Sequence, residues 1–347
     1  MKSLTDVLPF AISRLVDSAS STHVVVVLID GLGFENILEH ANVAPDWLRD
    51  SSPIQSTFPS TTPVSLMSLG TAVHAGRHGM LGATVKLDSG LLQPLHWQDS
   101  PAPQVFQPFK TVFENAVQSG IAVTRSGPAA YAGSGLTRAA LRGGVHVAAE
   151  NLSELLVRIQ EFLNTPAPGL MYAYYPQLDK IGHVHGVCSE QWRQEYVQVM
   201  KFLIETQQIL GSKQDMIVTA DHGMVDVENR LWIEDLPHLT RDMAFLAGEP
   251  RMRHVYAQPG DQSSLLRGWQ RLEEFAEVYT RDEFIQKFFQ GDIVEEFRSR
   301  VGDVVAVARG LNSLGSRNVD SKVSQLIGMH GADSVVETSI PAAVVSG

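Results

Sequence analysis

Side chains of the types that bind divalent metal ions occur at four places along the sequence. They are Asp30, the pair Asp179 and His183, the adjacent Asp221 and His222, and His330. Carboxylate oxygens and imidazole nitrogens are the usual ligands of zinc where thiolates are lacking. This set therefore predicts a site for divalent ions, with zinc as the expected metal.

Asp179 and His183 lie four residues apart in the segment LDKIGHVHG. On a helical turn this spacing places both side chains on one face, where they can share an ion. Taken alone, the same spacing is typical of an ordinary contact on a helix surface. The pair therefore indicates a metal site only in combination with the other residues.

Asp221 and His222 directly follow the apolar run DMIVTA. Burying a carboxylate and an imidazole together is costly unless both are hydrogen-bonded or coordinated, which favours metal ligands. The alternative is a strand-end turn in which the aspartate caps a helix and the histidine is solvated. Asp30 and Gly31 are also a common turn pair, and His330, in GMHG, is equally compatible with a ligand and a loop residue.

Thr62 is the candidate nucleophile. It precedes Pro63, and proline is favoured at the start of a helix, so Thr62 is predicted to be the N-cap of a helix that continues through VSLMSLG. A helix N-terminus attracts anions, which suits a hydroxyl that attacks phosphate. Coordination to a metal would activate that hydroxyl, and two ions about 4 Å apart would stabilise the attacking and leaving oxygens. The alternative is that Thr62 only caps the helix.

The elements that must position these residues alternate between strands and helices. Short apolar runs predict strands at residues 23–30, 121–127, 169–176 and 215–220. Helical patterns lie at residues 109–120, 148–164 and 191–211. Such alternation predicts a doubly wound α/β fold with helices on both faces of the sheet. Ligands collect at the carboxyl ends of the strands in these folds, where Asp30, Asp179 and Asp221 are expected.

The pattern changes to shorter, mixed pieces from about residue 235 to 310. This range predicts a small inserted subdomain or cap within a single catalytic domain that spans residues 1–347. No stretch of the sequence has the composition of a long flexible linker between independent domains.

Composition narrows the classes of partner. The chain has 347 residues and a formal net charge of −11 with no basic cluster, which argues against binding to a nucleic-acid duplex. No run of about 18 apolar residues exists to cross a bilayer, so no membrane partner is expected. The N-terminal segment predicts an amphipathic helix, not a signal peptide. The single cysteine, Cys188, cannot form an internal disulfide, and a cytoplasmic location is expected.

Five short motifs together resemble the alkaline phosphatase superfamily, and within it the type I phosphodiesterase and nucleotide pyrophosphatase family. They are DG at 30, FPSTTP at 58, DxxGHxxG at 179, DHGM at 221 and MHG at 329. The resemblance extends from about residue 23 to 335. It implies an alkaline phosphatase-like α/β/α sandwich that hydrolyses a small phosphate ester or nucleotide. It also implies two divalent ions and a phosphothreonine intermediate.

The resemblance further implies roles for individual residues. Pro59 precedes Thr62 by the spacing of the family, and His78 follows sixteen residues later, which favours Thr62 over Thr61 as the nucleophile. The implied ligands of one ion are Asp30, Thr62, Asp221 and His222, and those of the other are Asp179, His183 and His330.

One departure from the family pattern concerns the substrate. Family phosphodiesterases usually have F-P-N after the nucleophile, with the Asn holding a phosphate oxygen, whereas this chain has Pro63-Val64-Ser65. Ser65 is the expected replacement donor. A phosphomonoesterase or phosphonate hydrolase of the same superfamily is therefore an alternative to a phosphodiesterase, and an inactive metal-binding scaffold is another. The sequence lacks the C/S-x-P-x-R motif of sulfatases and the G-x-S-x-G motif of α/β hydrolases.

A basic cluster outside these motifs could also contact substrate. Arg251, Arg253 and His254 are the best candidates for binding an anionic group, although a solvated hairpin explains them equally well. His185, beside the ligand motif, is expected to be solvated. The sequence leaves the oligomeric state open.

Overall fold

The computed structural model describes residues 1–16, 21–97, 100–187 and 189–347. The strands are β1 (His23–Ile29), β2 (Ile54–Gln55), β3 (Val85–Leu87), β4 (Gly90–Leu92), β5 (Ala122–Gly127), β6 (Val145–Ala148), β7 (Gly169–Tyr175), β8 (Gln214–Thr219), β9 (Val225–Asp226), β10 (Asn229–Trp232), β11 (Met243–Glu249), β12 (Met252–Ala257), β13 (Ala276–Thr280), β14 (Val304–Ala308), β15 (Asn312–Gly315), β16 (Gly328–Met329), β17 (Ser339–Ile340) and β18 (Ala342–Ser346). Cys188, the single cysteine and the basis for expecting no internal disulfide, lies outside the described residues.

Helices connect these strands. They are α1 (Val7–Val16), α2 (Phe34–Glu39), α3 (Asp46–Arg49), α4 (Thr62–Thr71), α5 (Ala75–His78), α6 (Pro103–Phe106), α7 (Val112–Gln118), α8 (Gly135–Ala140), α9 (Leu152–Leu163), α10 (Gln177–His185), α11 (Glu190–Gln208), α12 (Pro237–Thr240), α13 (Gln262–Trp269), α14 (Arg281–Phe289) and α15 (Val335–Thr338). None of the described helices is both long enough and apolar enough to cross a lipid bilayer.

A six-stranded sheet in the order β18-β8-β1-β7-β5-β6 forms the centre of the molecule. Its strands are parallel except β18, which runs antiparallel to β8 at one edge. All seven residues of β1 are buried, as expected for a β-branched strand covered on both faces. Helices α1, α4 and α7 contact one another, and α9, α10 and α11 form a second group. The predicted doubly wound α/β fold is confirmed.

The predicted elements of the central sheet are present, with shifted ends. All four predicted strands are found, as β1, β5, β7 and β8. The predicted helices correspond to α7, α9 and α11, and the N-terminal helix to α1. Strands β6 and β18 were not predicted, since both lie at sheet edges, where no residue of β6 and only two of β18 are buried.

A second sheet lies within the range 235–310. It is antiparallel, with the order β11-β12-β14-β13. One set of its apolar side chains packs around Trp269 and Leu265 in a cluster of its own. Other residues of the same strands, including Met252 and Val305, join the central core. The second sheet is therefore packed firmly against the part of the molecule that carries the candidate site.

Candidate active site

The carboxyl ends of three neighbouring parallel strands bring the aspartates together. Asp30 directly follows β1, Asp221 follows β8, and Asp179 lies in the first turn of α10 after β7. The turn at Gly31 has a positive φ of 75°, and a Cβ atom at this position would lie 3.0 Å from the Asp179 Cβ. Glycine therefore allows the strand end and the helix to approach closely enough to place both carboxylates in one site.

One group of potential ligands consists of Asp30, Asp221 and His222. Their ligand atoms lie within 4.8 Å of one another, and all three residues are buried. The His222 Nε2 lies 3.5 Å from Asp30 Oδ1 and 3.4 Å from Asp221 Oδ2. The Thr62 Oγ1 lies 3.1 Å from the same His222 nitrogen, so the hydroxyl adjoins this group.

A second group consists of Asp179, His183 and His330, again within 4.8 Å of one another. The His183 Nε2 lies 3.4 Å from Asp179 Oδ2, and the two residues share one face of α10. The His330 Nε2 lies 3.3 Å from His183 Nε2 and 3.8 Å from Asp179 Oδ1. The rings of His222 and His330 are stacked with centroids 3.5 Å apart, which places the two groups side by side.

The backbone fixes the orientation of all three imidazoles. In each ring, Nδ1 donates to a backbone carbonyl oxygen. His183 donates to Gly328 (2.7 Å), His222 to Gly223 (3.1 Å) and His330 to Ser60 (2.9 Å). A carbonyl oxygen only accepts, so each Nδ1 carries the proton. In the neutral ring each Nε2 therefore presents a lone pair to the site, as metal ligation requires.

The aspartates each hold one oxygen without a hydrogen-bond partner among the described residues. These atoms are Asp30 Oδ1, Asp179 Oδ1 and Asp221 Oδ2, and all are buried. The second carboxylate oxygen of Asp30 and of Asp221 does accept a hydrogen bond. Tyr174 donates to Asp30 Oδ2, and the Gly31 N–H donates to Asp221 Oδ1 (3.2 Å). Buried carboxylate oxygens are rarely left unsatisfied. The donor set therefore fits two divalent cations.

The charges of the site also favour cations. Burial raises the pKa of Asp30 well above its usual range, and the neighbouring Asp221 and Asp179 raise it further. Burial lowers the pKa of His330 well below its usual value, and His222 and His183 lower it further. Burial disfavours the charged form of each group, and neighbouring groups of like charge add to this, which explains the raised pKa of the carboxylate and the lowered pKa of the imidazole. A bound divalent cation would relieve the carboxylate repulsion, while the neutral imidazole is already in its ligating form.

Thr62 occupies a different helical position from the predicted one. The N-cap of α4 is Thr61, and Thr62 is the first helical residue. The N–H groups of Val64 and Ser65 both bond to the Thr61 carbonyl oxygen at 3.0 Å, and Pro63 has no N–H. The described residues provide no acceptor for the Thr62 N–H, which is thus the free donor of this helix start.

A comparison with known families agrees with this geometry. The family model described as type I phosphodiesterase / nucleotide pyrophosphatase matches residues 24–333. The chain belongs to this family. The predicted membership of a family of phosphate ester hydrolases is thereby confirmed, while no curated protein matches the chain significantly.

Solved structures similar to this family member share its fold. Murine ectonucleotide pyrophosphatase/phosphodiesterase 5 is 16% identical, with a TM-score of 0.75, over 93% of this chain and 88% of its own. The inactive form of the murine protein, solved with AMP, is 17% identical, with a TM-score of 0.73 and coverage of 92% and 87%. Phosphonoacetate hydrolase from Sinorhizobium meliloti, solved with phosphonoformate, is 18% identical, with a TM-score of 0.71 and coverage of 94% and 90%.

Ser65 does not take the place of the Asn that is usual in this family. Its hydroxyl donates to the carbonyl oxygen of Asp221 (2.9 Å) and contacts the Thr57 hydroxyl (3.1 Å). The side chain is fully buried and is not part of the cavity beside Thr62. Phosphate binding by Ser65 thus stays a prediction that the geometry does not support, because this side of α4 packs on the strand end that carries Asp221.

His78, which belongs to the family spacing after the nucleophile, is also internal. Its Nδ1 accepts from the Met80 N–H (3.2 Å), so its Nε2 donates to the Ser68 hydroxyl (2.8 Å). Burial lowers the pKa of His78 to about 3, which keeps the ring neutral. The histidine ties helix α4 to the turn that follows α5.

The basic cluster predicted to contact substrate or solvent does neither. Arg251 is buried and pairs with Glu337 at 2.6 Å, and Arg253 is buried and pairs with Asp320 at 2.6 Å. His254 donates from Nε2 to the Leu81 carbonyl oxygen (2.8 Å). Arg251 lies in the turn before β12, and Arg253 and His254 lie on β12, an inner strand of the second sheet. All three side chains are buried and bond to other parts of the protein, which excludes a solvated hairpin.

A cavity of about 630 Å³ opens beside Thr62 and Asp30. Three tyrosines, Tyr131, Tyr172 and Tyr174, form part of its wall. His185 is exposed and is not part of the lining, in agreement with its expected solvation. The cavity is large enough to accept a small phosphate ester beside the candidate nucleophile.

Two residues that support the site were missed from the sequence. Tyr174 donates to Asp30, and Ser60 holds the His330 loop through its carbonyl oxygen and through its hydroxyl, which accepts from the Gly331 N–H at 3.2 Å. The tyrosine in a buried strand, within YAYYP, was a usable signal, because a buried hydroxyl needs a partner. Ser60 gave none, since its partner is about 270 residues away in sequence.

Proposed function

We propose that this family member is a metal-dependent phosphodiesterase that acts through a phosphothreonine intermediate on Thr62. The observation that carries the proposal is the position of the Thr62 hydroxyl, 3.1 Å from His222 Nε2 within a site that has three unpartnered carboxylate oxygens. Asp30, Thr62, Asp221 and His222 would hold one ion, and Asp179, His183 and His330 the other. Imidazole and carboxylate donors favour zinc.

Bound divalent ions would supply positive charge against the phosphoryl oxygens and lower the pKa of the Thr62 hydroxyl. The Thr62 hydroxyl gives up its proton as its oxygen forms the new bond to phosphorus. The bond from phosphorus to the leaving oxygen breaks, and the released alkoxide takes up a proton to become the alcohol. The free N–H of Thr62, at the positive end of α4, would donate to a phosphoryl oxygen. Water then cleaves the phosphothreonine, which restores the hydroxyl and releases the phosphate product.

Related proteins support a small phosphorus-containing ligand. The inactive murine protein was solved with AMP and the Sinorhizobium enzyme with phosphonoformate. Both ligands carry a phosphorus oxyanion, and the cavity beside Thr62 has room for such a group and an attached residue. We propose phosphodiesterase activity for this chain, as in its own family. We also propose a cytoplasmic location.

Turnover of bis-p-nitrophenyl phosphate and p-nitrophenyl phosphate tests the proposal. Zinc-loaded protein should cleave the diester faster than the monoester and should lose activity on chelation. Thr62→Ala should abolish turnover of the diester, by about 10⁴-fold or more, as expected for loss of a nucleophile. The matched variant Thr61→Ala should retain most activity. Equal loss in both variants, or substantial turnover by Thr62→Ala, would show that Thr62 is not the nucleophile.

A further inference from the structure

Three polar side chains line the cavity away from the candidate metal ligands. They are Arg125 on β5, His146 on β6 and Tyr172 on β7. Arg125 is the cross-strand partner of both other residues in the parallel sheet. Directly paired residues on parallel strands point to the same face and lie about 4.8 Å apart. The three side chains therefore form one row, called here the polar row.

The polar row has hydrogen-bonding capacity that the protein does not use. The hydroxyl of Tyr172 and the Nε2 of His146 are buried and have no partner among the described residues. Tyr172 is only 3% exposed, so water does not readily replace the missing partner. Buried polar atoms of this kind cost free energy unless something binds them.

Arg125 adds a positive charge to this row. Its Nε donates to the carbonyl oxygen of Gly143 (3.0 Å), which anchors the guanidinium group. It forms no ion pair with any carboxylate of the described residues. A half-buried arginine without a counterion, in a chain whose net charge is −11, indicates a place for an anion.

The polar row is connected to the candidate active site through two aromatic rings. Tyr174 donates its hydroxyl to Asp30, and its ring is stacked with that of Tyr172 at a centroid distance of 6.3 Å. Thr62 and Arg125 line the same cavity. A ligand whose phosphoryl group lies at Thr62 can therefore extend along the tyrosines toward Arg125.

We propose that the polar row is a subsite for a second anionic group, carried by the leaving group of the substrate. This inference rests on the proposed function, since it places the reacting phosphorus at Thr62. The substrate class is then a phosphorus ester, anhydride or phosphonate with a carboxylate or phosphoryl group a few bonds from the reacting phosphorus. The guanidinium of Arg125 pairs with that group, and Tyr172 and His146 donate or accept around it.

Binding of matched phosphonates to the zinc-loaded protein tests this subsite. Calorimetry compares ω-phosphonoalkanoates of increasing chain length with alkylphosphonates of equal length, and α,ω-bisphosphonates form the second arm. At the best chain length, the second anion should lower Kd by about tenfold. A larger gain from the carboxylate series identifies a carboxylated leaving group, and a larger gain from bisphosphonates identifies a phosphorylated one. No gain at any length in either series overturns the proposal.

Two variants assign the gain to the polar row. Arg125→Gln should remove it, whereas Arg158→Gln should keep it, because Arg158 also donates to a main-chain carbonyl but is not part of the cavity. Tyr172→Phe should reduce the gain by about threefold. Retention of the full gain in Arg125→Gln overturns the proposal. If Arg125→Gln does not fold, retention of the full gain in Tyr172→Phe overturns it instead.

The catalytic proposal is judged separately by turnover of bis-p-nitrophenyl phosphate, which carries no second anion. Turnover that depends on Thr62, without any binding gain, rejects only the subsite. A binding gain without turnover rejects the proposed phosphodiesterase activity and leaves the polar row as an anion site.

Discussion

The Oγ1 of Thr62 lies 3.1 Å from the Nε2 of His222, although the two residues are 160 positions apart in the chain. The backbone carbonyl oxygen of Gly223 accepts from the other nitrogen of that ring, so in the neutral ring the atom facing Thr62 carries the lone pair. A hydroxyl and an imidazole lone pair thus face each other beside Asp30 and Asp221. This relationship connects the candidate nucleophile to the candidate metal centre.

Metal content should follow the division of the ligands into two groups. Asp30→Asn and His330→Gln should each lower bound zinc from two ions per chain to about one, because each variant removes a ligand of a different ion. His185→Gln should keep both ions, since His185 is exposed and lies outside the cavity. Elemental analysis of purified variants measures this. A full complement of zinc in either ligand variant would contradict the assigned groups.

Tyr174→Phe should weaken metal binding without changing a direct ligand. The hydroxyl of Tyr174 donates to Asp30 and orients that carboxylate. Loss of a supporting hydrogen bond of this kind costs about 10–100-fold in metal affinity or activity. Competition with a chelator measures the affinity. Tyr131→Phe is the control, because Tyr131 contacts the Tyr174 ring in the same cavity, and equal weakening in both variants would rule out the specific role.

Glu249 should make stability depend on pH. Its Oε2 accepts from the Ala83 N–H at 3.0 Å, and burial raises the pKa of Glu249 from 4.5 to about 8. The folded chain therefore keeps a proton that the unfolded chain releases above pH 4.5. The resulting stabilisation is complete below that pH and is lost as pH rises through about 8.

Urea unfolding in the presence of a chelator, at acidic and at alkaline pH, tests this dependence. Glu249→Gln stays neutral at every pH and should lose less stability on the alkaline side than the unmodified chain. Parallel pH profiles for the two proteins would show that Glu249 is ionised in the fold.

Arg251→Met should destabilise the fold severely. Arg251 and Glu337 are both fully buried, and removal of one partner leaves an uncompensated charge, at a cost of about 3–5 kcal/mol. The free energy of unfolding measures this cost, and the same substitution at Arg49, whose carboxylate partners Asp46 and Asp50 are exposed, should have little effect. A stable Arg251→Met variant with a raised KM would instead support the substrate contact expected from the sequence.

Much of the site could be predicted because it follows from sheet geometry. Apolar runs that end in Asp30 and Asp221 identify buried parallel strands, and the carboxyl ends of such strands meet at one edge. The four-residue spacing of Asp179 and His183 needs only a helix, which the structure provides as α10. Local pattern was sufficient wherever backbone geometry alone determines the position of a side chain.

The remaining features depend on contacts between distant segments. Ser65 was predicted to bind phosphate, but the packing of α4 against the strand end directs its hydroxyl to the Asp221 carbonyl oxygen. Arg251 looked exposed because its partner, Glu337, is 86 residues away. Arg125 and Tyr172 were seen as strand residues, yet only the sheet register places them opposite each other. Sequence periodicity does not encode such pairings.

Location of the phosphoryl group during turnover is the most direct test of the central claim. Zinc-loaded protein is mixed with bis-p-nitrophenyl phosphate, quenched in acid and digested, and the peptides are analysed by mass spectrometry. A covalent phosphoryl ester on Thr62, formed and lost at rates that match turnover, is the predicted result. Rapid turnover with no phosphorylated Thr62, or with the phosphoryl group on Thr61, would contradict the account.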